Sequence, residues 1–549
     1  MLERLLSLSS RRGLIHSLNI LQFLRASAPR RLGGSNRTSI RPSPRPSPWE
    51  GEGVLLEFLR WIPVWAVLVL VTVSGVSAGV KFRVTMPADA TPAEFPGRLY
   101  VFVSQRAERE PRFGPDWFNP EPFFGVDVAA PRPGDSIVMD DRADGFPAQL
   151  SKLPPGDYRA QALLATNPDV QDHAHGPGNR YSDIYEINVR RGRDETIELE
   201  LLHAVEEPPP LDNPRIREIQ LRSELLSKFH RREVLERAAV VLPANYDDEP
   251  DRRYPVVYAI PGFSGSERDA RRYIPFVDAG GEPLIVVALS GQCQWGHHVY
   301  ADSATNGPRG QALIDEMIPH IDREFRTLAE PHARFVMGHS SGGWSSLWLQ
   351  VEYPDTFGGV WSTSPDPVDF RDYQQINLYA RPPLNMYVDE RGQRRPIARR
   401  GETPVLWYDD FSRMDDVIGL GGQLRSFEAV FSPLDERGLP RKLWDRATGR
   451  IDPVTAEAWK QYDIRLKLER EWPEIGPKLQ GKLNIITGEL DTFYLEGAVE
   501  QLKPVLEQLG SDAVVEIIPR KDHGNLLTQG MLLRIRGEMM DKFRRAQGE

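Results

Sequence analysis

The stretch "FVMGHSSGGW", Phe335 to Trp344, holds the key to the chain. An apolar run stops at Gly338, a polar trio follows, and two more glycines lead into an amphipathic segment, "GWSSLWLQVEY". The pattern Gly338-His339-Ser340-Ser341-Gly342 is G-x-S-x-G between a strand and a helix. In that setting the motif presents its serine on a sharp turn. Such a turn forces the backbone two residues before the serine against the backbone two residues after it, and only glycine fits at either place. Ser340 meets that condition through Gly338 and Gly342. Ser341 does not, because His339 stands two residues before it.

Working outward, near-continuous apolar runs alternate with helical patterns. "PVVYAIPG", "PLIVVAL", "ARFVMG", "GGVWSTS", "KLNIITGE" and "AVVEIIP" read as buried strands. "GQALIDEMIPHIDREF", "LEGAVEQLKPVLEQL" and "GMLLRIRGEMMDKFRR" read as helices. Strands of this kind alternating with helices predict a mostly parallel sheet covered on both faces. "IREIQLRSELL" and "REVLERAAVVLP" read as a pair of strands that opens it.

A serine needs a base, and the base needs an orienting acid. On a sheet with this elbow the chain order is serine, acid, histidine. Of the 11 histidines only His523 follows Ser340, in "IIPRKDHGNLL" after the last strand. Asp491, just past "LNIITGE", is the expected acid, with Glu489 and Asp522 as alternatives. The oxyanion hole needs two backbone N–H groups. Ser341 supplies one and Phe263 the other, since Pro261 has no N–H and Gly262 lets the loop come close. A loop rich in aromatic and histidine residues, "GQCQWGHH", puts Trp295, His297 and His298 forward as pocket lining, together with Trp344. His297 and His298 as metal ligands are the weaker reading.

These blocks, in order along residues 215–545, resemble the "putative esterase" branch of the α/β-hydrolase superfamily. That branch includes esterase D (S-formylglutathione hydrolase), the feruloyl and enterochelin esterases and the antigen 85 acyltransferases. The resemblance implies hydrolysis of carboxylic esters through an acyl-enzyme, without a metal or other cofactor. It places Ser340, Asp491 and His523 as the triad and Phe263 and Ser341 as oxyanion donors. Enterochelin-type esterases also carry a β-rich N-terminal domain. A segment at about 365–480 is insertion-like; insertions on this sheet edge shape the substrate pocket, so no relative's substrate carries over. Alternatives are a serine peptidase of the prolyl-oligopeptidase type and a non-catalytic binding protein that uses its β-rich part.

Ahead of this catalytic domain, residues 79–205 carry short alternating runs separated by turn chemistry, among them "KFRVTM", "RLYVFVSQ" and "YRAQALLA". They predict an N-terminal all-β sandwich. "EEPPPLDNP" then reads as a Pro-rich linker, 206–214, before the hydrolase domain at 215–549. His173 and His175 in "DHAHGPG" lack a third ligand at a convincing spacing and read as loop residues. Residues 1–53 are rich in Pro and Arg and poor in apolar residues, which predicts no packed core. Residues 54–78 have a charge, an apolar run from Trp61 to Val73, and small residues ending Val76-Ser77-Ala78. That is the layout of a cleavable signal peptide, and an uncleaved anchor is the alternative. A signal so far into the chain leads us to expect a true start near Val54 or Leu55, and an exported, periplasmic or extracellular protein.

Composition narrows the field. The net charge is −10 and hydrophobic residues make up 40% of 549. A chain this long predicts at least two domains. An acidic balance argues against nucleic acid as a partner; the resemblance implies a small-molecule or glycan-linked ester as substrate, and a membrane is met only through the signal segment. The single cysteine, Cys293, allows no intrachain disulfide and reads as a buried apolar residue.

Overall fold

The computed structural model describes residues 79–190 and 192–548. The readings made above for residues 1–78 lie outside the described residues. Among the described residues no helix is long and apolar enough to cross a membrane.

An eight-stranded sheet organises the C-terminal part. Its strands are β1 (Ile216–Arg222), β2 (Leu235–Val241), β3 (Val256–Ile260), β4 (Ile285–Leu289), β5 (Arg334–His339), β6 (Gly359–Thr363), β7 (Leu483–Gly488) and β8 (Val514–Ile518). They lie in the order β1-β2-β4-β3-β5-β6-β7-β8. β2 runs antiparallel to both β1 and β4, and from β4 to β8 every pairing is parallel. Parallel strands need crossovers, and the sequence supplies helices between them. The α/β-hydrolase arrangement follows from this order.

Side chains alternate along each strand, so each strand feeds two cores. Tyr258, Ile260 and Val336 point into one apolar cluster with Trp344 and Leu347. Val257, Ala259 and Phe335 point into the other, with Ile535 and Met539 of the C-terminal helix. This is why β3 and β4 read as unbroken apolar runs: all five residues of each are buried.

The helix after β5, α1 (Ser341–Glu352), is buried over eleven of its twelve residues. The insertion contributes α2 (Tyr408–Ile418), α3 (Gln423–Phe431) and α4 (Ile464–Leu479). α5 (Glu496–Gln508) follows β7, and α6 (Gln529–Gln547) ends the chain. One expectation needs correction at its end. "IREIQLRSELL" leaves the sheet at Ser223, whose hydroxyl accepts from Leu226 N–H and starts a short helix, Glu224–His230. Serine is a strong helix N-cap, and that local bond outweighs the strand pattern.

Residues 80–204 form two sheets. Strand 80–85 sits between 136–139 (antiparallel) and 195–200 (parallel). The second sheet centres on the long pair 97–104 and 156–165. Phe82, Val84 and Leu199 of the first sheet share a core with Leu99, Val101, Ala162 and Leu164 of the second. The opposite face of the second sheet is also covered. Tyr100, Phe102, Phe123 and Leu163 join the cluster that holds Phe411 and Val417 of α2. Residues 205–213 carry no regular element.

Candidate active site

Four strand ends meet at the C-terminal edge of the sheet, where β5 ends in the elbow. Ser340 has φ 61° and ψ −127°, strained for a residue with a side chain. The surroundings over-determine it. Ser340 N–H donates to Thr363 O at 3.0 Å, and Ser340 O accepts from Trp344 N–H at 3.1 Å. A Cβ on Gly338 would stand 2.0 Å from Gly342 O, and one on Gly342 would stand 2.2 Å from Ile260 O. Both elbow glycines are thus required by the close approach of three backbones. A Cβ on Gly262 would lie 3.3 Å from Ser340 Cβ, so the loop carrying Phe263 lies directly over the serine. Ser341 N–H belongs to the first turn of α1, where helices leave amides without an intrahelical acceptor.

Asp491 follows β7 and His523 follows β8. His523 Nδ1–H donates to Asp491 Oδ2 at 2.8 Å, and Phe493 N–H donates to Asp491 Oδ1 at 2.9 Å. Burial alone would lower His523, but the Asp491 carboxylate offsets it and holds the imidazole above its ordinary value. Burial would likewise raise Asp491, and His523 holds it below the ordinary carboxylate value. The two alternative acids are engaged elsewhere: Glu489 Oε2 accepts from Arg520 N–H, and Asp522 Oδ1 accepts from Gly524 and Asn525 N–H.

Two further groups were not anticipated from sequence. His339 Nε2–H donates to His523 O at 3.1 Å, and the two rings lie 4.5 Å apart. Burial pushes His339 down to about 3, so it stays neutral and ties the elbow to the histidine loop. The x position of G-x-S-x-G was the available signal. Asp366, just past β6, accepts from Ser341 Oγ–H at 2.6 Å and is lifted by burial to about 6. Its sequence, "TSPDP", carries no motif.

The expected pocket residues divide. Trp295 lines a cavity of about 300 Å³ together with Arg425, Arg441 and Lys442. His297, His298 and Trp344 are buried. His297 is 1% exposed, with Nε2 against Pro261 O at 2.9 Å and Nδ1 accepting from Val299 N–H. His298 accepts from Tyr300 N–H. Trp344 is 0% exposed and stacks on Trp348 at 5.2 Å, behind the elbow. Its place in the first turn of α1 turns it to the sheet, because that helix is covered all round.

Cys293 is buried and its thiol is pushed up by burial. His173 is stacked near Tyr100 and Phe102 and pairs with Gly114 O. Among the described residues no group of three or more His, Cys, Asp or Glu could hold a metal ion.

A family model described as "Putative esterase" matches residues 236–495. Two curated relatives from Mycobacterium tuberculosis, Esterase MT1326 and Esterase Rv1288, are each 32% identical over 149 residues, covering 26% of this chain. The chain spans about a third (31%) of the length of each. Among solved structures, an S-formylglutathione hydrolase from Agrobacterium tumefaciens is 15% identical, with 60% of this chain and 94% of that one covered and a TM-score of 0.34. A ferulic acid esterase from Anaeromyces mucronatus is 14% identical, with 61% and 93% covered and a TM-score of 0.33. The "Putative esterase" match runs from β2 to the loop beyond β7 and so takes in the elbow at the end of β5.

Proposed function

We propose that this protein is a serine carboxylic-ester hydrolase that works through an acyl-enzyme. The observation that carries the reading is the buried Asp491–His523 hydrogen bond beside a serine held in a strained elbow. Ser340 Oγ attacks the ester carbonyl while His523 Nε2 takes its proton. The amides of Phe263 and Ser341 stabilise the oxyanion. His523 then gives the proton to the leaving alcohol oxygen, and water repeats the cycle on the acyl-enzyme. Asp491 keeps Nδ1 protonated, so that Nε2 is the basic nitrogen.

In this reading residues 79–205 are a β-sandwich, supported by the core shared between their two sheets. The substrate is a small-molecule or glycan-linked ester met outside the cytoplasm, a proposal that rests on the signal-like segment 54–78. Ser340→Ala is expected to lower kcat for a p-nitrophenyl ester by at least about 10³ with KM little changed. Retention of a tenth of the activity would overturn the assignment. A peptide-anilide run beside the ester distinguishes a peptidase.

A further inference from the structure

The N-terminal β region reaches the candidate site with two aromatic side chains. Trp117 lies 5.8 Å from Phe263, the oxyanion-loop residue, and meets Phe411 of α2 edge-on at 5.0 Å. It also stands edge-on to Phe493 at 6.4 Å, and Phe118 lies 6.5 Å from that same ring. Phe493 in turn sits edge-on against His523, at 5.1 Å and 85°. A chain of ring contacts therefore runs from the loop over the serine, across Trp117, to the histidine. Trp117 is only partly buried and Phe118 is 44% exposed, so apolar surface remains uncovered at this rim.

The wall is held in place from both sides. Asp116 Oδ1 accepts from Phe118 and Asn119 N–H, which sets the turn carrying Trp117. Arg112 donates to Ala174 O at 2.7 Å, and His173 Nε2 pairs with Gly114 O. The sheet beneath is pinned to the insertion. Arg98 Nε–H donates to Val417 O at 2.9 Å and Tyr100 O–H donates to Ile418 O, both at the end of α2. An aromatic ring held this firmly loses little freedom on binding, which suits a recognition surface.

We propose that Trp117 is a specificity residue of the site, receiving a flat apolar group on the alcohol half of the ester. The side follows from the chemistry: the leaving oxygen takes its proton from His523, so the alcohol departs past the ring against which Phe493 stands. The β region thus completes the substrate pocket. This inference rests on the esterase reading.

The test compares wild type, Trp117→Ala and Trp117→Phe on ethyl acetate, benzyl acetate and ethyl 3-phenylpropanoate. Trp117→Ala should lower kcat/KM for benzyl acetate about tenfold or more and leave the two ethyl esters within about threefold. Trp117→Phe should recover most of the loss. A residue that touches only the alcohol leaves hydrolysis of the shared acetyl-enzyme unchanged. Equal losses on all three esters, no loss at all, or a loss that follows the acyl group would each overturn the proposal. Binding of benzyl acetate to Ser340→Ala, with and without Trp117→Ala, needs no turnover. Benzyl acetate should bind about fivefold or more weakly when Trp117 is absent, and unchanged binding refutes the wall. Wild type failing to hydrolyse any ester would instead refute the esterase reading, with the binding pair still deciding the fate of Trp117.

Discussion

Replacing Asp491 with asparagine isolates the orienting charge from the shape of the side chain. Asp491 is fully buried, and each of its oxygens has one donor: Phe493 N–H at 2.9 Å and His523 Nδ1–H at 2.8 Å. Asparagine can keep one acceptor for Phe493 N–H, but then it presents an amide N–H to His523. Two donors cannot face each other, so the imidazole must shift its proton to Nε2 or turn away. Either outcome removes the basic nitrogen from the serine. The expected loss is about 10³–10⁴ in kcat, as when the orienting acid of a triad is amidated, or about 4–5.5 kcal/mol. The pH profile gives a second reading. The base must be neutral to work, so the acid limb of kcat/KM follows the His523 pKa. Asp491 holds that pKa above its ordinary value, against burial. Without the carboxylate, burial dominates and the limb should move to lower pH. The assay is steady-state hydrolysis of a p-nitrophenyl ester across pH, with far-UV circular dichroism to check folding. If Asp491→Asn keeps more than about a tenth of kcat, the reasoning fails. It fails equally if Glu489→Gln or Asp366→Asn costs as much.

Asp366→Asn should lower kcat by about tenfold at neutral pH, because Ser341, the proposed oxyanion donor, loses its charged partner. Asp366 titrates at about 6 near His523, so the wild-type acid limb should be steeper than one protonation and return to a single-proton slope in the variant. A limb of unchanged slope would leave Asp366 outside the chemistry. Gly342→Ala should abolish activity and soluble expression together, since its Cβ would lie 2.2 Å from Ile260 O; a folded, active variant would disprove the tight elbow. Arg98→Met should cost about 2–3 kcal/mol in a thermal or denaturant melt, because Val417 O loses a buried donor. An unchanged melt would show that the β region is not pinned to α2 in this way.

The fold was legible wherever local pattern and tertiary demand coincide. The runs that became β3 to β8 are buried on both faces, so they are apolar throughout, and no neighbour is needed to see that. Gly338 and Gly342 announced the elbow because close backbone approach leaves one residue type. His523 emerged because it alone follows Ser340. Asp491 emerged from its place beyond β7, where its carboxylate meets His523.

What stayed hidden depends on contacts between distant segments. Trp344, His297 and His298 looked like pocket residues because aromatic and histidine side chains near an elbow often are. Whether a helix buries one face or all of them is set by what packs on it, and the insertion covers this one on the side away from the sheet. Asp366 sits in a loop with no motif, and its raised pKa arises from burial beside Ser341. Trp117 lies 146 residues before Phe263 in the chain, and nothing near it in sequence points to a hydrolase. Periodicity and motif spacing record what a residue does for its own element. Which elements share a core, and whose side chains close a site, is decided only when the sheets dock.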